Sequence, residues 1–152
     1  MKDFIIEKIY KTIKKPYQML FKKETKAWDL SIKDFLEKPE NSLGFHLGCF
    51  LLKHSFAIQP QLEEHDVYHV LTNTGITVKD EIAMQFYLFG NGKKSPFLFI
   101  VILTGILFYP FQINHFIKSY KKGKNAHQFY NLEFYKMLHI PLTELQFTFN
   151  IK

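Results

Sequence analysis

The residues best suited to chemistry lie in Glu63-Glu64-His65-Asp66-Val67-Tyr68-His69, with Glu81 following. On a helix, His65 and His69 lie about 40° apart around the axis and roughly one turn apart along it. Asp66 lies about 100° from His65, so the three side chains can converge on one quadrant. Eleven residues separate His69 from Glu81. Gly75 breaks the pattern between them, and Thr77 with Asp80 three residues later reads as the N-cap of a second helix. Glu81 then falls in the first turn of a helix that folds back towards the first. Two imidazoles and two carboxylates on facing helices build a divalent-metal site. The expected ligands are His65, Asp66, His69 and Glu81, around one zinc, iron or manganese ion. A hydrogen-bonded network of histidine and acid with no metal is the competing arrangement.

The flanking residues bear on that choice. Leu62, Val67, Val70 and Leu71 are scattered around the first helix, and Ile82, Ala83, Met84, Phe86, Leu88 and Phe89 leave the second little polar surface. Helices of this kind are buried. A buried carboxylate without a partner is costly, and a cation offsets that cost.

Stepping outward along the chain, 152 residues with 47% hydrophobic content and 17 Phe exclude disorder and are enough for a real core. Residues 3–15 set Phe4, Ile5, Ile6, Ile9 and Ile13 against Lys8, Lys11, Lys14 and Lys15, an amphipathic helix ended by Pro16. Its basic face suits a membrane surface, and its apolar stripe suits packing on the domain equally well. Ser42 reads as the N-cap of a helix over 43–56, which carries Gly44 and Gly48 on one face. Those glycines allow either a close helix approach or a channel for a slender ligand. The metal-motif helix runs over 62–73. Gly90-Asn91-Gly92 reads as a plain turn, because the lysine and hydroxyl of a phosphate loop are missing. Ser95-Pro96 opens a long uncharged segment to Ile117, kinked at Pro110 and read as buried or lipid-lined rather than spanning. Lys118 to Lys124 reads as a basic loop. The tail over 141–151 combines a helix start with strand-like alternation of Leu145, Phe147, Phe149 and Ile151. The expected fold is an all-α, single-domain bundle of about six to eight helices with a buried inter-helix metal site, preceded by a basic amphipathic segment over 1–34.

Charge is distributed unevenly. The net +6 comes entirely from lysine, and the chain has no arginine. Without guanidinium forks for phosphates and base edges, nucleic acid is not an expected partner, whereas an anionic membrane surface is. Cys49 is the only cysteine, so no intrachain disulfide can form, and its apolar neighbours suggest a buried thiol in a reducing compartment. No secretory signal or transit peptide is expected, since lysines interrupt the early apolar residues and Asp3 and Glu7 stand among them.

The spacing His65-Asp66-x-x-His69, eleven residues, Glu81 resembles the signature of the coenzyme Q (ubiquinone) biosynthesis protein 4 family. The likeness extends to Pro39-Glu40-Asn41-Ser42-Leu43-Gly44, to Glu81-Ile82, and to Asn131-Leu132-Glu133, Pro141-Leu142-Thr143-Glu144-Leu145 and Asn150-Ile151 in the tail, over residues 35–152. Asp80 stands where the family pattern has a glycine, and the lack of arginine is a further departure. The resemblance implies a helical protein that lies peripherally on the inner membrane surface from the cytoplasmic side. It implies prenyl-lipid binding, partnership with other quinone-biosynthesis proteins, and oxidative decarboxylation of a polyprenylated hydroxybenzoate ring. On that reading the metal positions the head group, while Phe97 and Phe99 with the Gly44/Gly48 face hold the tail. A homodimer is also expected if an apolar stripe is exposed. The alternatives are a non-catalytic lipid-binding scaffold and a metal-dependent phosphohydrolase, which would need further ligands on other helices.

Overall fold

The computed structural model describes residues 28–56 and 63–152. The amphipathic helix expected over 3–15 lies outside these residues. Seven helices occur among the described residues: α1 (Ile32–Leu36), α2 (Leu43–Lys53), α3 (Glu63–Thr72), α4 (Val78–Gly90), α5 (Pro96–Phe108), α6 (Ile113–Asn125) and α7 (Leu142–Thr148). Short 3-10 turns occupy Pro110–Gln112 and Phe134–Met137. No strand forms among the described residues; a single isolated bridge joins Ser42 to Pro141. The expected all-α architecture is the one observed, and α1 runs across the division drawn at residue 34.

These helices gather into two compact units. The first contains α1, α2, α3 and α7. Its buried side chains include Phe35, Leu43, Leu47, Leu51, Val67, Leu71, Phe134 and Leu145. Helix α1 opens on a capping box, in which Ser31 Oγ accepts from Asp34 N and the Asp34 carboxylate accepts from Ser31 N. The Ser31 hydroxyl and backbone bonds hold the exposed Asp34 carboxyl below its ordinary value. At α2, the four N-terminal backbone donors are all satisfied. Ser42 N donates to Pro39 O at 2.8 Å, Leu43 N and Gly44 N to Ile140 O and Leu138 O at 2.9 and 2.8 Å, and Phe45 N to Ser42 Oγ, while His46 N begins the helical ladder at Ser42 O. This explains Gly44, whose absent Cβ would lie 2.8 Å from the Leu138 carbonyl. At Gly48 a Cβ would lie 2.8 Å from Phe35 Cβ and against Leu36. The Gly44/Gly48 face therefore serves close packing, and Lys38, Leu138, Phe35 and Leu36 fill the space that the channel alternative required. Cys49 is exposed, not buried as its neighbours in sequence suggested. It falls on the outward side of α2, while Leu47, Gly48 and Leu51 turn inward.

The second unit contains α4, α5 and α6. Its core joins Ile82, Ala83 and Phe86 of α4, Val101 of α5, Tyr109 and Phe116. The Phe86 and Phe116 rings stack at 5.1 Å. Helices α4 and α6 cross at two glycines. A Cβ on Gly123 would run into the Tyr87 carbonyl, and one on Gly90 into the Tyr120 carbonyl. Here the structure overturns an expectation: Lys118 to Lys124 is helical, within α6, and not a loop. Gly123 does not end that helix but lets it approach α4. Burial of the Tyr87 phenol pushes its pKa up to about 12, so it stays protonated at physiological pH.

The long uncharged segment is also broken more sharply than a kink. Helix α5 stops at Phe108, and the segments Pro96–Phe108 and Pro110–Asn125 diverge by 106°. Pro110 has no N–H to continue the ladder, and its ring excludes a straight helix. Among the described residues no single helix is long and apolar enough to cross a membrane. The tail resolves as helix α7, as expected from the resemblance.

Four helices end by the same device. After α2, α3, α4 and α7 the residues Ser55, Asn73, Gly92 and Asn150 take positive φ. In each case the next N–H reaches back five residues, as Phe56 to Leu51, Thr74 to His69, Lys93 to Leu88 and Ile151 to Gln146. This is the Schellman arrangement, which satisfies carbonyls left unpaired by the last turn.

Candidate metal centre

Helix α3 carries the two histidines. Val67, Tyr68 and Leu71 bury one side of it, and Gln146 of α7 donates to the Leu71 carbonyl at 3.0 Å, tying down its last turn. His69 is buried and His65 partly so, with ring centroids 4.7 Å apart and edge to face.

The His69 ring is held on two sides. Its face stacks on Phe50 of α2 at 5.5 Å with 17° between the planes. Its Nδ1 lies 3.1 Å from the Thr74 carbonyl. A carbonyl only accepts, so Nδ1 carries the hydrogen, and in the neutral ring Nε2 is the electron-pair donor. The Thr74 carbonyl reaches this place because Asn73 turns the chain at φ 51° and Thr74 N returns to His69 O at 3.0 Å. The helix cap and the orientation of the histidine are one structure. Thr72 Oγ1 fastens it further, donating to Tyr68 O at 2.6 Å and meeting Thr74 Oγ1 at 2.7 Å. For His65, the Asp66 carboxylate lies 3.5 Å from Nδ1.

Glu81 stands one turn into α4, behind the Thr77/Asp80 capping box. Asp80 Oδ2 accepts from Thr77 N and from Thr77 Oγ1, while Asp80 N donates back to Thr77 Oγ1. Gly75 leaves room for that carboxylate; a Cβ there would strike it. The aspartate that departs from the family pattern thus has a local task, fixing the turn that precedes Glu81.

One donor atom from each of His65, His69 and Glu81 lies within 4.8 Å of the others. Asp66 is outside this group and sits against the His65 ring instead. His46, His54, His115, His127 and His139 do not join it, so the additional ligands that a phosphohydrolase reading requires are not assembled among the described residues. Phe97 packs against the core of its unit and Phe99 is half exposed, its ring 5.6 Å from Phe89.

A family model, coenzyme Q (ubiquinone) biosynthesis protein Coq4, matches residues 52–152. The chain belongs to the Coq4 family. His65, Asp66, His69, Glu81 and the C-terminal element all fall within the matched range, and Pro39–Gly44 precedes it. Coq4 membership associates the chain with ubiquinone biosynthesis. A crystal structure of a Nostoc punctiforme protein, provisionally assigned to ubiquinone biosynthesis, superposes with a TM-score of 0.68 at 15% identity. The similarity covers 96% of this chain and 81% of that one, and at this identity it speaks for the Coq4 fold alone. No curated protein matches the chain.

One residue that sequence reading passed over is structural. Asn91 is buried in what reads as a plain turn, and its side chain closes α4 onto the end of α6. Nδ2 donates to Gly123 O and His127 O at 3.3 and 3.1 Å, and Oδ1 accepts from Phe129 N and Tyr130 N at 2.9 and 3.2 Å. Only its position after a helix and between two glycines hinted at this.

Proposed function

We propose that this Coq4-family protein is a metal-dependent enzyme of ubiquinone biosynthesis acting on a prenylated aromatic acid. The convergence of His65, His69 and Glu81 carries the reading. Two imidazoles and one carboxylate fit zinc in catalytic sites and equally fit iron, and three protein ligands leave positions open for a substrate. The Thr74 carbonyl on His69 Nδ1 is the outer partner that metal-binding histidines characteristically have, and Asp66 is placed to do the same for His65. In this reading Asp66 orients a ligand.

A divalent ion held there would supply Lewis-acid or redox chemistry. The protein's own residues present Nε2 of His69, hold its ring against Phe50, and keep bulk water from its buried side. The reaction assigned is oxidative decarboxylation. The ring carbon loses its carboxyl group as carbon dioxide and gains a hydroxyl from water, a two-electron oxidation in which dioxygen is reduced to hydrogen peroxide. Phe97 and Phe99 are the side chains proposed for the prenyl tail.

The test uses natively purified protein and a prenylated 4-hydroxybenzoate labelled at the carboxyl carbon. Labelled carbon dioxide should be released in aerobic reactions, and His69→Ala should abolish release. Retention of the lipid without release, in wild type, would assign the protein instead to the non-catalytic scaffold reading.

A further inference from the structure

We propose that Gln85, one turn beyond Glu81 on α4, recognises the substrate by donating from its amide to the carboxylate of the aromatic acid. The inference rests on the function proposed above and names the side chain that would select its substrate. Gln85 is 3% exposed, yet its amide has no hydrogen-bond partner among the described residues. An amide buried without a partner costs stability, and leucine or methionine would fill the same place without that cost. The amide therefore calls for a partner that the described residues do not supply. Relative to Glu81, Gln85 lies about 40° around α4 and about 6 Å along it. Met84 and Leu88, about 60° and about 20° to the other side of Glu81, are buried and apolar. Ile82, Ala83 and Phe86 turn about 100–200° away and pack into the core shared with α5 and α6. On the face of α4 that presents Glu81, Gln85 is thus the polar side chain next in line. Helical side chains lean towards the N-terminus, so the Gln85 amide is carried back towards Glu81. Tyr87 Oη, also on α4, is unpartnered and wholly covered, whereas the small exposure of Gln85 includes its amide.

The chemistry of the amide selects the ligand. Nε2 carries two N–H donors and no charge. It can bind a carboxylate oxygen without setting a second anion beside Glu81, or a cation that would compete with the metal for it. Hydrogen bonds to an ionised group are also the stronger kind. In oxidative decarboxylation that carboxylate departs as neutral carbon dioxide, so a donor on it holds the substrate in its ground state. Gln85 then lowers KM and does not raise kcat.

Gln85→Met and Gln85→Leu test this beside Tyr87→Phe, with each full-length protein loaded with zinc and checked by circular dichroism. All of these variants remove an unpartnered buried polar group, so each should melt about 4 °C above the wild type. Zinc content should stay at the wild-type value throughout. Titration calorimetry with a prenylated 4-hydroxybenzoate as the probe should then separate them. The dissociation constant should rise about ten-fold for both Gln85 variants. It should not change for Tyr87→Phe, which lies about 160° from Gln85 around the helix. In turnover, KM of the Gln85 variants should rise about ten-fold, with kcat no lower than that of the wild type. Wild-type affinity for the probe in the Gln85 variants would overturn the proposal. Loss of folding or of zinc in both would overturn it too, by making Gln85 a structural residue. A wild-type protein that holds zinc but does not bind the acid would overturn the proposed function, and this inference with it, before any variant is compared.

Discussion

Asn91→Leu is expected to lower the unfolding free energy by about 4 kcal/mol, close to one kcal/mol for each of the four bonds lost. The side chain is buried and joins the carbonyls of Gly123 and His127 to the N–H groups of Phe129 and Tyr130. Leucine keeps the branched shape but sets methyl groups where the amide makes contacts of 2.9 to 3.3 Å, so overpacking adds to the loss of the hydrogen bonds. Asn91→Asp should also destabilise, because a carboxylate keeps the two N–H donors but faces two carbonyl oxygens. Equilibrium urea unfolding followed by circular dichroism measures both variants. A loss under about 1 kcal/mol for the leucine variant would mean that the staple contributes little.

Gly123→Ala carries the second large effect, and its sign is the informative part. In an exposed helix interior the change would stabilise by about 1 kcal/mol through propensity. Here the new methyl would strike the Tyr87 backbone carbonyl, which cannot rotate away as a side chain can. Overpacking of this kind costs about 1–3 kcal/mol, and a backbone collision lies at the upper end, so a net loss of about 2 kcal/mol is expected. The same Tyr87 carbonyl accepts from Asn91 N at 2.9 Å, so Gly123→Ala and Asn91→Leu should be non-additive in a double-mutant cycle. A stabilising Gly123→Ala would show that α4 and α6 do not approach as closely as described.

These two residues also mark where sequence reading stops. Signals local to a few residues were legible. Ser42, Thr77 and Ser95-Pro96 announce their helices, and the four-residue spacing of His65 and His69 with a capped helix before Glu81 foretells the site. Signals that depend on a partner far along the chain were not. Gly123 resembles a helix stop until Gly90, 33 residues earlier, is seen to meet the same helix pair. The pattern Ile113, Phe116, Tyr120 and Gly123 does have helical spacing, but only if glycine counts as a packing position, and lysines in the gaps disguise it. Asn91 looks like any turn asparagine because its partners lie 32 to 39 residues on. Asp66 shares a quadrant with the histidines on a helical wheel, but a wheel cannot tell a ligand from a neighbour of a ligand. Cys49 misled for a related reason, since apolar neighbours in sequence do not share its side of the helix.

The most direct test of the metal centre is elemental analysis of the natively purified protein beside Glu81→Ala, both checked for folding by circular dichroism. Near one equivalent of zinc, iron or manganese is expected in the wild type, and its loss is expected from a folded Glu81→Ala variant. A folded wild-type protein that contains no transition metal and takes up none when supplied would contradict it, and would leave His65, His69 and Glu81 as a polar network.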